Sequence, residues 1–87
     1  MMRSEAIEAL RAIFAAVLDL PVSAVTGELS PDNCEKWDSL HHIHLVSAIE
    51  EEFDLKLGVE AEVEILSFDL AVLVVCEALS AAGRPVG

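Results

Sequence analysis

Ser39 stands between Asp38 and Leu40, and three histidines, His41, His42 and His44, follow within five positions. Three chemistries are conceivable there. A metal centre is the first: His41 and His44 are three apart, share a helix face, and are of the type that binds zinc or nickel. No acid or cysteine is spaced to complete a four-ligand shell, so the expectation is no metal, with His41 and His44 solvated and His42 at the edge of a core. A Ser-His-Asp hydrolase is the second. Side chains this close on one helix start cannot line up as nucleophile, base and orienter, and no G-x-S-x-G elbow is present. That reading is rejected. The cysteines add nothing to it, because Cys34 has no basic neighbour beyond Lys36 and Cys76 lies in an apolar run. The third is a serine that carries phosphate. Where a helix begins after a loop, the first-turn N–H groups and the dipole favour an anion. Ser39 at such a place is ordinarily a cap; if Asp38 caps instead, its hydroxyl is free. Residue chemistry allows both.

The elements that must position Ser39 follow from apolar spacing. Ile7, Leu10, Phe14, Val17 and Leu18, widened by Ile13, recur at threes and fours and predict a helix from Ser4 to about Asp19. Ser4 is its expected cap, Glu5 and Glu8 suit its positive end, and Pro21 stops it. From Pro21 to Trp37 two prolines, Gly27 and Asn33 describe a long loop with a short turn near Ser23 to Val25. A second helix runs from Asp38 or Ser39 to Phe53, with Leu45, Val46, Ile49 and Phe53 on one face and His42 within that arc. Leu40 lies nearly opposite the centre of that face and Ile43 to one side of it, with His44, Ser47 and Glu51 beside them. Apolar residues off the core stripe suit a partner-binding surface, although isolated exposed ones are common. Residues 54–67 alternate apolar and acidic, which by period is a hairpin; Leu57-Gly58 is a poor hairpin turn and a lone hairpin is marginally stable, so local pattern leaves the segment undecided. The last helix starts after Ser67, a good cap, with Asp69 in its first turn. It is expected to bury Leu70, Leu73 and Val74 and to end near Gly83, with Pro85 beyond.

Composition bounds the class. The chain has 87 residues, 54% of them hydrophobic, and a mean hydropathy of +0.52, which suits one small packed domain over residues 1–87, loose at about 1–3 and 83–87. Its longest apolar runs, Ala12 to Leu18 and Leu70 to Cys76, are far short of the roughly 20 residues of a membrane helix. No secretory leader is read, and two distant cysteines suggest a reduced, cytoplasmic protein with no disulfide framework. The net charge of −11 argues against nucleic acid and favours partners with basic patches. An acidic domain this small is also a poor self-contained enzyme.

The stretch Asp38-Ser39-Leu40, followed by Leu45, Ile49, Glu50-Glu51-Glu52 and Phe53, resembles the acyl carrier protein family. The resemblance covers nearly the whole chain. It implies an all-α fold: a small four-helix bundle with a long loop between helices 1 and 2 and a short third helix near Glu60 to Leu66, against the counted alternation. It also implies that Ser39 carries a 4′-phosphopantetheine arm drawn from coenzyme A, with Asp38 and Leu40 as motif neighbours. Its thiol would hold acyl groups as thioesters for enzymes of a fatty-acid-related or specialised, polyketide-like pathway. The implied protein is a non-catalytic monomer served by a phosphopantetheinyl transferase and by acyl-loading and acyl-processing enzymes with basic docking surfaces. The candidate docking residues are Leu40, Ile43, His44, Ser47, Glu50 and Glu51. The chain departs from fatty-acid-synthesis carriers where Lys36-Trp37 replaces Gly-Ala before D-S-L, where His44 replaces an acid, and where Ser47 replaces a bulkier apolar residue. A tryptophan before D-S-L is similar to stand-alone carriers of specialised pathways. The Gly-Gly-x-Ser pattern of peptidyl carriers is absent, so an aminoacyl or peptidyl carrier is the second reading and an acidic helical adaptor the third.

Overall fold

The computed structural model describes residues 2–86. They form four helices, α1 (Arg3–Leu18), α2 (Ser39–Phe53), α3 (Val59–Glu64) and α4 (Phe68–Ala81), with one 3-10 turn at Val22–Ala24 in the long loop. No strand occurs among the described residues. The fold is therefore the expected all-α bundle with a short third helix.

Its core is built from the predicted faces of α1 and α2 and from one face of α4. Leu10, Phe14 and Leu18 of α1 meet Leu45, Ile49 and Phe53 of α2 and Phe68, Val75 and Leu79 of α4. Phe14 is the central ring, edge-on to Trp37 at 5.3 Å and to Phe68 at 5.1 Å between centroids. Such T-shaped pairs add stability beyond the area they bury. The long loop is pinned by Val25, Leu29, Cys34 and Trp37, all buried. It also crosses the start of α4, where the Phe68 N–H donates to the Leu29 carbonyl (2.9 Å) and the Asp69 N–H to the Gly27 carbonyl (3.1 Å). These bonds satisfy first-turn donors that a helix leaves unpaired. The crossing is close enough that a Cβ on Gly27 would lie 2.4 Å from an Asp69 carboxylate oxygen.

Helix ends are set by more than the expected caps. Ser67 caps α4 as expected, its Oγ accepting from the Leu70 N–H. Ser4 does not cap α1. The helix begins at Arg3 with Met2 at the cap position, and the Glu5 carboxylate accepts from the Met2 N–H at 2.9 Å. α1 and α2 both end on an aspartate in the left-handed region, Asp19 (φ 53°) and Asp54 (φ 51°). Arg84 completes the second of these ends by donating to the Phe53 and Asp54 carbonyls at 2.6 and 2.9 Å. A cation there offsets the negative end of the helix dipole. The tail is thus tied back at Arg84, while Met1 and Gly87, within the ends expected to be loose, lie outside the described residues.

One segment that local pattern leaves open is decided by the structure, and one expectation is corrected. Residues 54–67 are not a hairpin. The Leu55 N–H donates to the Glu50 carbonyl (3.0 Å) and the Leu57 N–H to the Glu50 carboxylate (2.7 Å), so these donors are committed to the end of α2. Wound as a helix, Val59 and Val63 then fall on one exposed side, while Ala61 and Ile65 turn inward. In α4, Leu70 and Leu73 are not core residues; they remain 39% and 49% exposed. The buried face is Phe68, Val72, Val75 and Leu79, with Ala71, Val74 and Cys76 beside it. Seven consecutive apolar residues carry no periodicity of their own, so the anchors at either end chose the face.

Candidate functional site

Asp38 settles which side chain caps α2. It is extended (φ −100°, ψ −175°), and its Oδ1 accepts from the His41 N–H at 2.9 Å and pairs with His41 Nδ1 at 2.7 Å. The His41 backbone N–H, and then the His41 ring, hold the Asp38 carboxyl below the ordinary carboxylate value. Ser39 is therefore the first helical residue, exposed, with its hydroxyl not needed for the cap. A nucleophilic oxygen stands at the positive end of a 15-residue helix with its approach from solvent open.

Beside Ser39 lies an open groove of about 590 Å³ between the long loop, α2 and α3. Ile43, Val63 and Leu66 give it apolar walls; Trp37 and His42 line it from the core side. One ring joins the three elements. Trp37 Nε1–H donates to His42 Nδ1 at 3.0 Å, the two rings stack at 6.1 Å, and His42 Nε2 reaches the Glu62 carbonyl at 2.9 Å. An indole N–H is only a donor, so His42 Nδ1 is the acceptor and the ring carries its proton on Nε2. The second contact is then a donation to Glu62. His42 lies at the core edge, as expected, but as a three-way tie.

The other expected residues sort by exposure. Leu40 and Ile43 are 59% and 54% exposed on the outer face of α2, with His44, Ser47 and Glu51 also exposed there. Glu50 is half-buried and is spent on the Leu57 N–H. His41 and His44 stand edge-on at 6.1 Å between centroids, and no group of three or more His, Cys, Asp and Glu among the described residues is placed to hold a metal ion. Cys34 and Cys76 are buried thiols. The two residues that depart from Gly-Ala before D-S-L have structural tasks: Lys36 Nζ donates to the Asp19 carbonyl at the end of α1 (2.9 Å), and Trp37 fills the core. Sequence reading missed the far wall of the groove, Val63, Leu66 and the Glu62 carbonyl. A helical winding of 59–66 is the signal that finds them, and the period-2 alternation hid it.

No family model matches the chain. Among solved structures it is similar to the solution NMR structure of a holo acyl carrier protein from Geobacter metallireducens, at 25% sequence identity and a TM-score of 0.77 over 87% of this chain and 87% of that one. None of the four helices is long and apolar enough to cross a membrane. The Asp38-capped helix start at Ser39, the four-helix architecture and this likeness support the resemblance that the residues carry: the chain has the fold of an acyl carrier protein.

Proposed function

We propose that the chain is a carrier that tethers acyl groups through a 4′-phosphopantetheine arm on Ser39. The observation that carries this reading is the division of labour at the start of α2: Asp38 makes the cap, and Ser39 presents an exposed hydroxyl at the helix N-terminus. In the transfer, Ser39 Oγ forms a bond to the pantetheine-bearing phosphorus of coenzyme A, the diphosphate linkage breaks, adenosine 3′,5′-bisphosphate leaves, and the serine proton passes to solvent or to the transferase. The new phosphodiester lies near first-turn N–H groups, which favour its charge. The arm's thiol supplies the thioester chemistry; the domain presents the arm and is recognised. Carrier proteins are in general not enzymes, and no catalytic group is assigned here. Leu40 and Ile43, flanked by His44, Ser47 and Glu51, are the proposed docking face for the transferase and for acyl-loading and acyl-processing enzymes, whose basic surfaces would meet a chain of net charge −11. Lys36-Trp37 before D-S-L favours a specialised pathway over fatty-acid synthesis.

The test is the intact mass after incubation with coenzyme A, Mg²⁺ and a broad-specificity phosphopantetheinyl transferase. The wild type gains one phosphopantetheine and Ser39→Ala none. Modification at Ser30 or Ser67 overturns the site, and an unchanged wild-type mass leaves the acidic adaptor, with Ser39 an unmodified helix-start residue.

A further inference from the structure

The groove beside Ser39 has one soft wall. α3 has only six residues, none of them buried, and its cap position is Gly58 with no side-chain hydrogen bond. A helix so short does not hold itself together, and its position depends on what ties it to the body. Ile65, fully buried just after it, is one tie; the hydrogen bond from His42 to the Glu62 carbonyl is another. The same imidazole is fixed from behind by Trp37, which is buried and braced edge-on by Phe14. Trp37, His42 and the Glu62 carbonyl thus form one continuous hydrogen-bonded layer across the inner side of the groove. Below it, Phe14, Phe68, Leu45 and Ile49 are close to fully buried.

We infer that His42 is the residue that limits cargo: with the Trp37–His42–Glu62 layer closed, an acyl group on the arm lies in the outer groove against Ile43, Val63 and Leu66 and does not pass between α2 and α3 into the bundle. This rests on the carrier reading of Ser39. The cargo class that follows is short or polar acyl groups. Their few apolar atoms are covered by the groove walls, whereas the outer methylenes of a long alkyl chain stay in water. Opening the layer would take both hydrogen bonds from His42 and leave the buried Trp37 N–H unpaired, an arrangement interiors avoid. His42 acts on the cargo by positioning α3 and Trp37.

The experiment loads Ser39 with acetyl, butyryl, octanoyl or dodecanoyl phosphopantetheine, using the acyl-coenzyme A thioesters and a broad-specificity transferase. Cleavage of each thioester by hydroxylamine is followed by intact mass, and the sole tryptophan, Trp37, reports the layer by fluorescence. For the wild type, the cleavage rate and the Trp37 emission stay the same from butyryl to dodecanoyl. In His42→Asn the amide oxygen can still accept from Trp37, but the reach to Glu62 is lost. There the dodecanoyl thioester is cleaved about fivefold more slowly than the butyryl one, which corresponds to burial for about four-fifths of the time. His42→Leu, which removes both hydrogen bonds, gives the same slowing and shifts Trp37 emission. Graded slowing with chain length in the wild type overturns the inference and leaves the carrier reading intact. Flat rates in folded His42→Asn overturn it as well. Failure to load any group on Ser39 removes both.

Discussion

Ile43 and Ile49 are the same residue type on the same helix, six positions apart, and the structure gives them opposite tasks. Ile49 is 0% exposed in the core; Ile43 is 54% exposed on the groove's lip. Full burial of an isoleucine side chain contributes about 1.5–3 kcal/mol. A little under half of Ile43 is covered, so Ile43→Ala forfeits about 1 kcal/mol, and the better helix propensity of alanine returns roughly 0.4. Ile49→Ala loses the whole transfer term and leaves a cavity, about 2–5 kcal/mol. For a domain of this size each kcal/mol moves the melting temperature by about 4–8 °C. The expected falls are therefore about 2–5 °C for Ile43→Ala and about 8–40 °C for Ile49→Ala. Thermal melts by far-ultraviolet circular dichroism at one salt concentration measure them. Phosphopantetheinylation rates at a temperature where both variants are folded give the second axis. Ile43→Ala slows modification or downstream transfer while remaining nearly as stable as the wild type; Ile49→Ala is modified normally. Leu40→Glu follows Ile43→Ala, since Leu40 is exposed on the same face. A melting temperature for Ile43→Ala as low as that for Ile49→Ala would make Ile43 a core residue. Unchanged transfer for Ile43→Ala with every partner enzyme tried would remove the docking role.

Three further outcomes are expected. The Asp38 carboxyl titrates below its ordinary value of 3.8, so its support of α2 is complete above that value and is lost as pH falls through the lower, folded-state one. The His41 amide, followed by NMR on acidification, should report that loss in the wild type and be silent in Asp38→Asn; a silent wild type refutes the cap. Ser67→Ala removes the Oγ acceptor at the start of α4 and should cost about 1 kcal/mol, or roughly 4–8 °C in melting temperature. An unaltered melt would mean that the loop carbonyls of Gly27 and Leu29 suffice at that helix start. Eleven net negative charges repel one another in the folded body, so added NaCl or millimolar-range Mg²⁺ should raise the melting temperature. A flat response to both beside a large rise with one equivalent of zinc would instead assign the histidine cluster a metal role.

The sequence by itself determined the helices in which large apolar residues stand out at spacings of three and four among alanines or polar residues. α1 and α2 show their stripes in Leu10, Phe14 and Leu18 and in Leu45, Ile49 and Phe53, and the start of α2 at Ser39 is marked by the loop that ends there. Leu40 and Ile43 could be placed outside for the same reason: a helical wheel needs only local spacing. Where local pattern was degenerate, the tertiary structure decided. The alternation after Asp54 fits a strand as well as a helix, and the absence of a partner strand, with Glu50 taking the Leu55 and Leu57 donors, made α3 a helix. The uninterrupted apolar run in α4 could turn either face inward, and packing of Phe68 and Val75 on the core left Leu70 and Leu73 outside. The cap of α2 was open between two adjacent side chains until the backbone angles at Asp38 aimed its carboxylate at the His41 N–H. The tie from Trp37 through His42 to Glu62 spans 25 positions and three elements. No spacing rule encodes it, because hydrogen bonds between elements depend on where the bundle sets their backbones, not on local periodicity.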